Sequence, residues 1–242
     1  MAVAARGSDT AVFVLRKRLK MEREITSIKA QKRNRQRVNI YLDGQFAFGL
    51  SKFVAAWLEP GRKLSEVDIH KLLEEDTYEV ALQKAMQFIN HRPRSIEETR
   101  RRLIEKGFSD EVVKTTLEKL QEIDWLDDLE FARQWVENRN TFHPRSARLL
   151  TYELRLKGVA DETIQQALKK YGGNETELSY QAGIKKAKQC QNEEKTDFFK
   201  KVGGFLVRRG FQYSIVKPTV ERLWDEFASP EHKRTETTGK ME

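Results

Sequence analysis

The chain repeats itself. From Pro93 it reads PRSIEETRRRLIEKGF and from Pro144 it reads PRSARLLTYELRLKGV, with the same offsets between proline, serine and glycine. Triplets of a cation, a glycine and an apolar residue recur as Lys106-Gly107-Phe108, Lys157-Gly158-Val159 and Arg209-Gly210-Phe211, which sets the glycines 51 and 52 residues apart. The register holds on both sides of each glycine. Leu103, Leu154 and Leu206 stand four residues before it, Val113, Ile164 and Val216 six after, and Leu117, Leu168 and Val220 ten after. Positions that stay apolar in every copy mark a repeated packing unit, and this period exceeds the roughly 34 to 47 residues of common helical solenoids. It leaves room for three helices per copy.

The glycine triplet has a physical reading. A helix that ends in Lys or Arg and then Gly places a cation at the negative end of its dipole, and the glycine takes the left-handed conformation that closes the helix. The following Phe or Val packs back on the last turn. Asp110 and Asp161, each just before the next apolar-periodic run, are expected as N-caps. The third copy departs from the others: it lacks the Pro-Arg-Ser opening, carries Gly203-Gly204 in its middle helix and places Pro218 in its last. Interior glycines cost about 1 kcal/mol each against alanine, so this copy is expected to be the loosest. Leu206→Ala should then be milder than Leu154→Ala.

Residues 1–24 show no sustained periodicity and are read as a flexible extension, with Met21 as an alternative initiator. From Ile25 the pattern changes to period two. ITSIKAQ, QRVNIYL and FAFGL read as strands, and Asp43-Gly44 between the last two is a two-residue hairpin turn. The intervening KRNRQR run is either a charged edge or a contact for phosphate or an acidic surface. SKFVAAWLE reads as a short helix stopped by Pro60-Gly61, and Ser65 with Asp68 opens an amphipathic helix through about Glu75. The expected architecture is mainly α: a small N-terminal β-hairpin element over residues 25–75, then three-helix repeats over 76–124, 125–173 and 174–227, then a disordered tail over 228–242.

Lys and Arg number 45 against 37 Asp and Glu, a net charge of +8, which favours a polyanionic partner or a solvated basic face. The single cysteine, Cys190, excludes an intramolecular disulfide and a cysteine-cluster metal site. No apolar run approaches the roughly 20 residues of a membrane span, so the expected setting is the cytoplasm, without a membrane partner. GQFAFGLS imitates a phosphate loop but has Leu50 where the lysine must stand. His70, His91, His143 and His232 lack ligand spacing, and no nucleophile or dinucleotide motif is present. The sequence offers no catalytic residue, cofactor or metal site.

The stretch WLDDLEFARQWVENRNTFHPRSARLLTYELRLKGV resembles the most distinctive segment of the RecX family. Trp125, Leu126, Asp127, Asp128, Phe131, Ala132, Trp135, Val136, Arg139, Pro144, Arg145, Glu153, Leu154, Lys157 and Gly158 fill the family's motif positions, and ITSIKAQ through VNIYLDGQFAFGLS is similar to its opening hairpin. The resemblance covers about Ile25 to Phe227. It implies a modular three-helix repeat protein that binds the RecA recombinase and its filament on single-stranded DNA, lies in the filament groove and inhibits ATP hydrolysis, strand exchange and co-protease activity. From the residues alone the alternative is a helical repeat protein that binds DNA directly, since three-helix units also suit helix-turn-helix use.

Taking Ile96, Thr99 and Leu103 as the inward face of the first middle helix turns Arg101 outward, and Arg148, Lys200, Lys201 and Arg208 fall on the equivalent arcs of the other copies. With Arg145 from the Pro-Arg-Ser opening, these are the candidate partner-binding residues of an expected monomer.

Overall fold

The computed structural model describes residues 22–228. The extension and the tail expected at the two ends lie, apart from Glu22 to Glu24 and Ala228, outside the described residues. Among the described residues four strands precede nine α-helices, and no helix is long and apolar enough to cross a membrane. The described chain falls into two compact units. One runs through Arg92 and includes Arg100–Glu122; the other consists of Pro93–Thr99 and the residues from Ile123 onward.

In the first unit, strands β1 (Arg23–Ala30), β2 (Arg37–Leu42), β3 (Gln45–Ser51) and β4 (Lys63–Leu64) form an antiparallel sheet in the order β3-β2-β1-β4. Period-two alternation puts Ile25, Ile40, Leu42, Leu50 and Leu64 into one buried cluster. The hairpin turn sits where Asp43 and Gly44 predict it, both with positive φ (51° and 82°) as a type I′ turn requires. β4 is an addition to the expected strands, two residues long and paired with Arg23 and Glu24. SKFVAAWLE contains only a single 3₁₀ turn, Val54–Trp57.

Helix α1 (Glu66–His91) opens with the capping box expected at Ser65 and Asp68 but does not stop near Glu75. It continues for 26 residues because no Gly or Pro interrupts it and Ala81 and Ala85 are buried further along. Within α1 the buried carboxylate of Asp76 accepts the backbone N–H of Ser51 (2.5 Å) and a guanidinium N–H of Arg37 (2.7 Å), which fastens the helix to the sheet. Helices α2 (Ile96–Glu105) and α3 (Asp110–Glu122) follow, and α3 packs on α1.

The second unit contains α4 (Asp128–Phe142), α5 (Ala147–Leu156) and α6 (Asp161–Tyr171), then α7 (Glu175–Gln189), α8 (Lys195–Arg208) and α9 (Tyr213–Phe227). Each set of three encloses its own apolar cluster. The repeat register is a packing register: Leu103, Leu154, Leu206, Val113, Ile164, Val216, Leu117 and Val220 are all buried, with Leu168 half-buried. Gly107, Gly158 and Gly210 have φ of +86°, +80° and +89°. At each, the glycine N–H and the N–H after it return to carbonyls of the last turn, the Schellman closure. Asp110 and Asp161 occupy the first helical turn rather than the N-cap: Ala160 precedes Asp161, whose carboxylate pairs with Arg155.

The glycines also differ in surroundings. A Cβ on Gly158 would lie 2.4 Å from the Glu97 side chain, and one on Gly210 would lie 2.4 Å from Ser146 Oγ, whereas one on Gly107 would meet nothing within 4 Å. Each serine of the Pro-Arg-Ser opening caps its own middle helix while the same residue touches the next copy's glycine turn. Ser95 Oγ donates to Lys157 O (2.5 Å), and Ser146 N donates to Arg209 O (3.1 Å). The third copy has no later glycine turn among the described residues to dock on. Its middle helix accordingly begins early and spans 14 residues, against 10 for α2 and α5.

The third copy is not the loosest by packing. Its cluster gathers Phe198, Val202, Leu206, Phe211, Leu223 and Trp224, with Phe198 and Trp224 edge-to-face at 5.1 Å. Leu154 and Leu206 are both fully buried. We therefore expect Leu154→Ala and Leu206→Ala to cost the same, about 2–5 kcal/mol each, by urea denaturation. The glycines separate differently. Gly107→Ala should cost about 1 kcal/mol for the left-handed backbone alone, and Gly158→Ala and Gly210→Ala distinctly more, measured as shifts of the denaturation midpoint.

Candidate functional site

The motif positions of the second copy form a connected polar framework over an apolar floor. Asp127 caps α4, its carboxylate accepting Leu129 N at 2.7 Å. Asp128 points the other way and accepts Ile96 N (3.0 Å), the first N–H of α2. Glu175 repeats that arrangement one copy later by accepting Ala147 N (2.7 Å) at the start of α5. Phe131, Ala132, Leu154 and Pro144 are buried, as core aromatics and aliphatics should be.

Above this floor Glu153 accepts two hydrogen bonds and joins an ion pair. Trp135 Nε1 reaches its Oε2 at 2.8 Å, Arg139 Nε reaches the same oxygen at 3.0 Å, and the Arg145 guanidinium pairs with Oε1. The Trp135 ring lies under two cations, Arg139 at 4.3 Å and Lys157 at 5.4 Å from its centroid. Lys157 also pairs with Glu98 at 2.9 Å, beside the close approach of Gly158 to Glu97. Burial raises Asp128 above the ordinary carboxylate range, against the lowering effect of the Ile96 N–H. Burial and the neighbouring guanidiniums of Arg139 and Arg209 lower Arg145.

The six candidate partner-binding residues have different situations. Arg101, Arg148, Lys200, Lys201 and Arg208 are exposed, as the helical arcs predict. Lys201 is engaged by Glu193 at 2.5 Å, and Arg145 is drawn, half-buried, onto Glu153. Arg148, Lys200 and Arg208 meet no carboxylate among the described residues. Arg101 belongs to the first unit and the other five to the second. Among the described residues no cluster of His, Cys, Asp or Glu could hold a metal ion.

Pattern reasoning passed over two exposed rings, Phe53 (72% exposed) and Trp57 (85% exposed), at the end of the sheet. The backbone bond from Lys52 N to Gln36 O (2.8 Å) ties the start of this segment to the basic run, in which Lys32, Arg33 and Arg35 are exposed and the last member, Arg37, is instead consumed by Asp76. The signal that could have found them is the spacing of four between Phe53 and Trp57 within a run too short to bury both.

A small antiparallel sheet followed by glycine-closed three-helix copies that latch one onto the next defines a modular helical-repeat protein. Residues 23–65 match the regulatory protein RecX N-terminal domain, residues 81–120 the first RecX three-helix domain and residues 127–168 the second. The chain is 32% identical over 203 residues to Regulatory protein RecX of Bacillus licheniformis, covering 81% of this chain and 76% of that one. It is 30% identical over 207 residues to Regulatory protein RecX of Bacillus pumilus, covering 83% and 78%. A crystal structure of regulatory protein RecX superposes with a TM-score of 0.63 at 26% identity, over 81% of this chain and 97% of that one. The chain belongs to the RecX family.

Asp128 supplies a test of the latch. Asp128→Ala removes the acceptor for the first N–H of α2 and should cost about 1 kcal/mol, whereas Asp128→Asn keeps an acceptor without a buried charge and should cost less. Because the folded-state value of Asp128 is raised, its contribution to stability is fully present below the unfolded carboxylate range and is lost as pH rises through the folded value. Denaturation of wild type and Asp128→Asn from acid to neutral pH should therefore show the variant gaining relative stability as pH rises.

Proposed function

We propose that this protein is a non-enzymatic regulator that binds the RecA recombinase and RecA filaments on single-stranded DNA, and lowers recombinase, ATPase and co-protease activity. The observation that carries the reading is membership of the RecX family across all three matched domains, with relatives named regulatory proteins. The arrangement of the chain supports it. The polar residues of the family motif are engaged in bonds within and between the copies, and each of the last two middle helices keeps exposed cations that meet no carboxylate among the described residues. Arg148, Lys200 and Arg208 offer a summed positive field to a filament built of phosphates and acidic loops. On this reading the protein acts as a monomer in the cytoplasm.

The direct test is ATP hydrolysis by RecA on single-stranded DNA with increasing amounts of this protein. Hydrolysis should fall with dose, and an unchanged rate at saturating protein would remove the proposal. The combined variant Arg148→Glu, Lys200→Glu and Arg208→Glu should remain folded by circular dichroism, each surface change shifting stability by no more than about 0.5 kcal/mol. It should need far more protein for the same inhibition and lose most of the salt dependence. Inhibition at wild-type concentrations across a salt titration would show that this arc is merely solvated.

A further inference from the structure

The second unit carries a cleft of about 410 Å³ where the end of α4 and the residues after it face α7 and the end of α8. His143, Lys185, Lys186 and Arg209 line it, together with Phe142 and Phe205, and no Asp or Glu is among its walls. That one-sidedness is unlike many other cations of the unit, which are matched: Lys201 with Glu193, Arg222 with Glu177, Arg155 with Asp161. Among the described residues Lys185, Lys186 and Arg209 meet no carboxylate. The Arg209 guanidinium instead lies 4.9 Å over the ring of Phe205.

The imbalance extends behind the cleft wall. Glu153 is already occupied by Trp135, Arg139 and Arg145, and Arg145 Nε is buried without an acceptor. Burial and the charge of Arg139 lower Arg209, just as burial, Arg139 and Arg209 lower Arg145. Two guanidiniums thus share one carboxylate, and the third, Arg209, meets none among the described residues. Holding half-buried cations together without counter-charge is unfavourable, and an anion in the cleft relieves it.

We propose that this cleft binds a nucleotide phosphate, with Lys185, Lys186 and Arg209 on the phosphate oxygens and the Phe142 ring against the base. Several convergent cations suit the multiple oxygens of a phosphate better than a single carboxylate does. Phe142, at the end of α4, is 67% exposed and offers a flat face, and stacking on such a face accepts any base. The same chemistry is available from a free nucleotide or from a phosphodiester in a single strand. The proposal stands apart from the RecA reading, because it is tested without recombinase.

The test uses the full chain and three probes: a fluorescein-labelled oligothymidylate followed by anisotropy through a salt titration, ATP followed by calorimetry without metal, and an oligoglutamate peptide as the acidic-protein alternative. The Lys185→Gln, Lys186→Gln double variant changes only α7 surface positions and should weaken nucleotide binding. For the oligonucleotide it should also make the slope of log affinity against log salt shallower by about 1.4, roughly 0.7 per lost phosphate contact. Phe142→Ala should weaken binding roughly tenfold and leave that slope unchanged. Oligonucleotide binding without ATP binding assigns a single strand as the source, and ATP binding that the double variant loses assigns a free nucleotide. Unaltered binding of both probes by both variants would overturn the proposal. So would oligoglutamate binding that depends on the lysines while neither nucleotide probe binds.

Discussion

The close approach of a serine to a glycine turn is the constraint on which the helical part of this chain depends. Ser95 reaches the carbonyl of Lys157 and Ser146 reaches that of Arg209, each where the following glycine has no side chain to keep the two backbones apart. Because a middle helix is capped and docked by the same serine, its start is fixed by the position of the next copy's glycine. The period near fifty residues is therefore a distance between mating parts as well as a count of helices. Asp128 and Glu175 strengthen the arrangement by supplying an acceptor, from the first turn of one copy, to the opening N–H of the previous copy's middle helix.

This view accounts for the residues that make the family motif dense. Asp127 holds its own helix, Asp128 holds its neighbour's, and Glu153 ties Trp135, Arg139 and Arg145 into one cluster. A motif arginine such as Arg145 reads in the sequence as a free cation of the Pro-Arg-Ser opening. Its partner stands eight residues on, across a helix start, and only the folded geometry shows that the charge is spent internally. Arg148, Lys200 and Arg208, by contrast, meet no carboxylate among the described residues, and only the folded geometry separates them from Arg145.

The parts of the fold legible in the sequence are those set by local chemistry. The type I′ turn at Asp43-Gly44, the capping box at Ser65 and the three glycine closures each need only a few adjacent residues. The buried positions of the repeats follow from period alone, as Leu103, Leu154 and Leu206 show. What was not legible depends on contacts distant in the chain. The run of α1 past Glu75 brings Asp76 into buried contact with Ser51 and Arg37, partners distant in the chain. The buried cluster of the third copy rests on contacts such as Phe198 meeting Trp224 across two helices, which the local propensity of the glycine pair does not register.

Arg209 joins the two themes of the structure in one residue. Its carbonyl is the acceptor through which the second copy docks on the third, and its side chain is the half-buried, unmatched cation of the cleft. A cation serves the last turn of α8 through the helix dipole wherever it points. Directing it over Phe205 and toward Arg139, rather than into solvent, adds repulsion and desolvation that the helix end does not require. Lys157, in the equivalent position one copy earlier, has Glu98 to balance it at 2.9 Å, and Arg209 has no counterpart to that glutamate. The two corresponding residues thus differ in counter-charge: the earlier junction is neutralised from within, and the later one is left with a positive charge facing an open cleft.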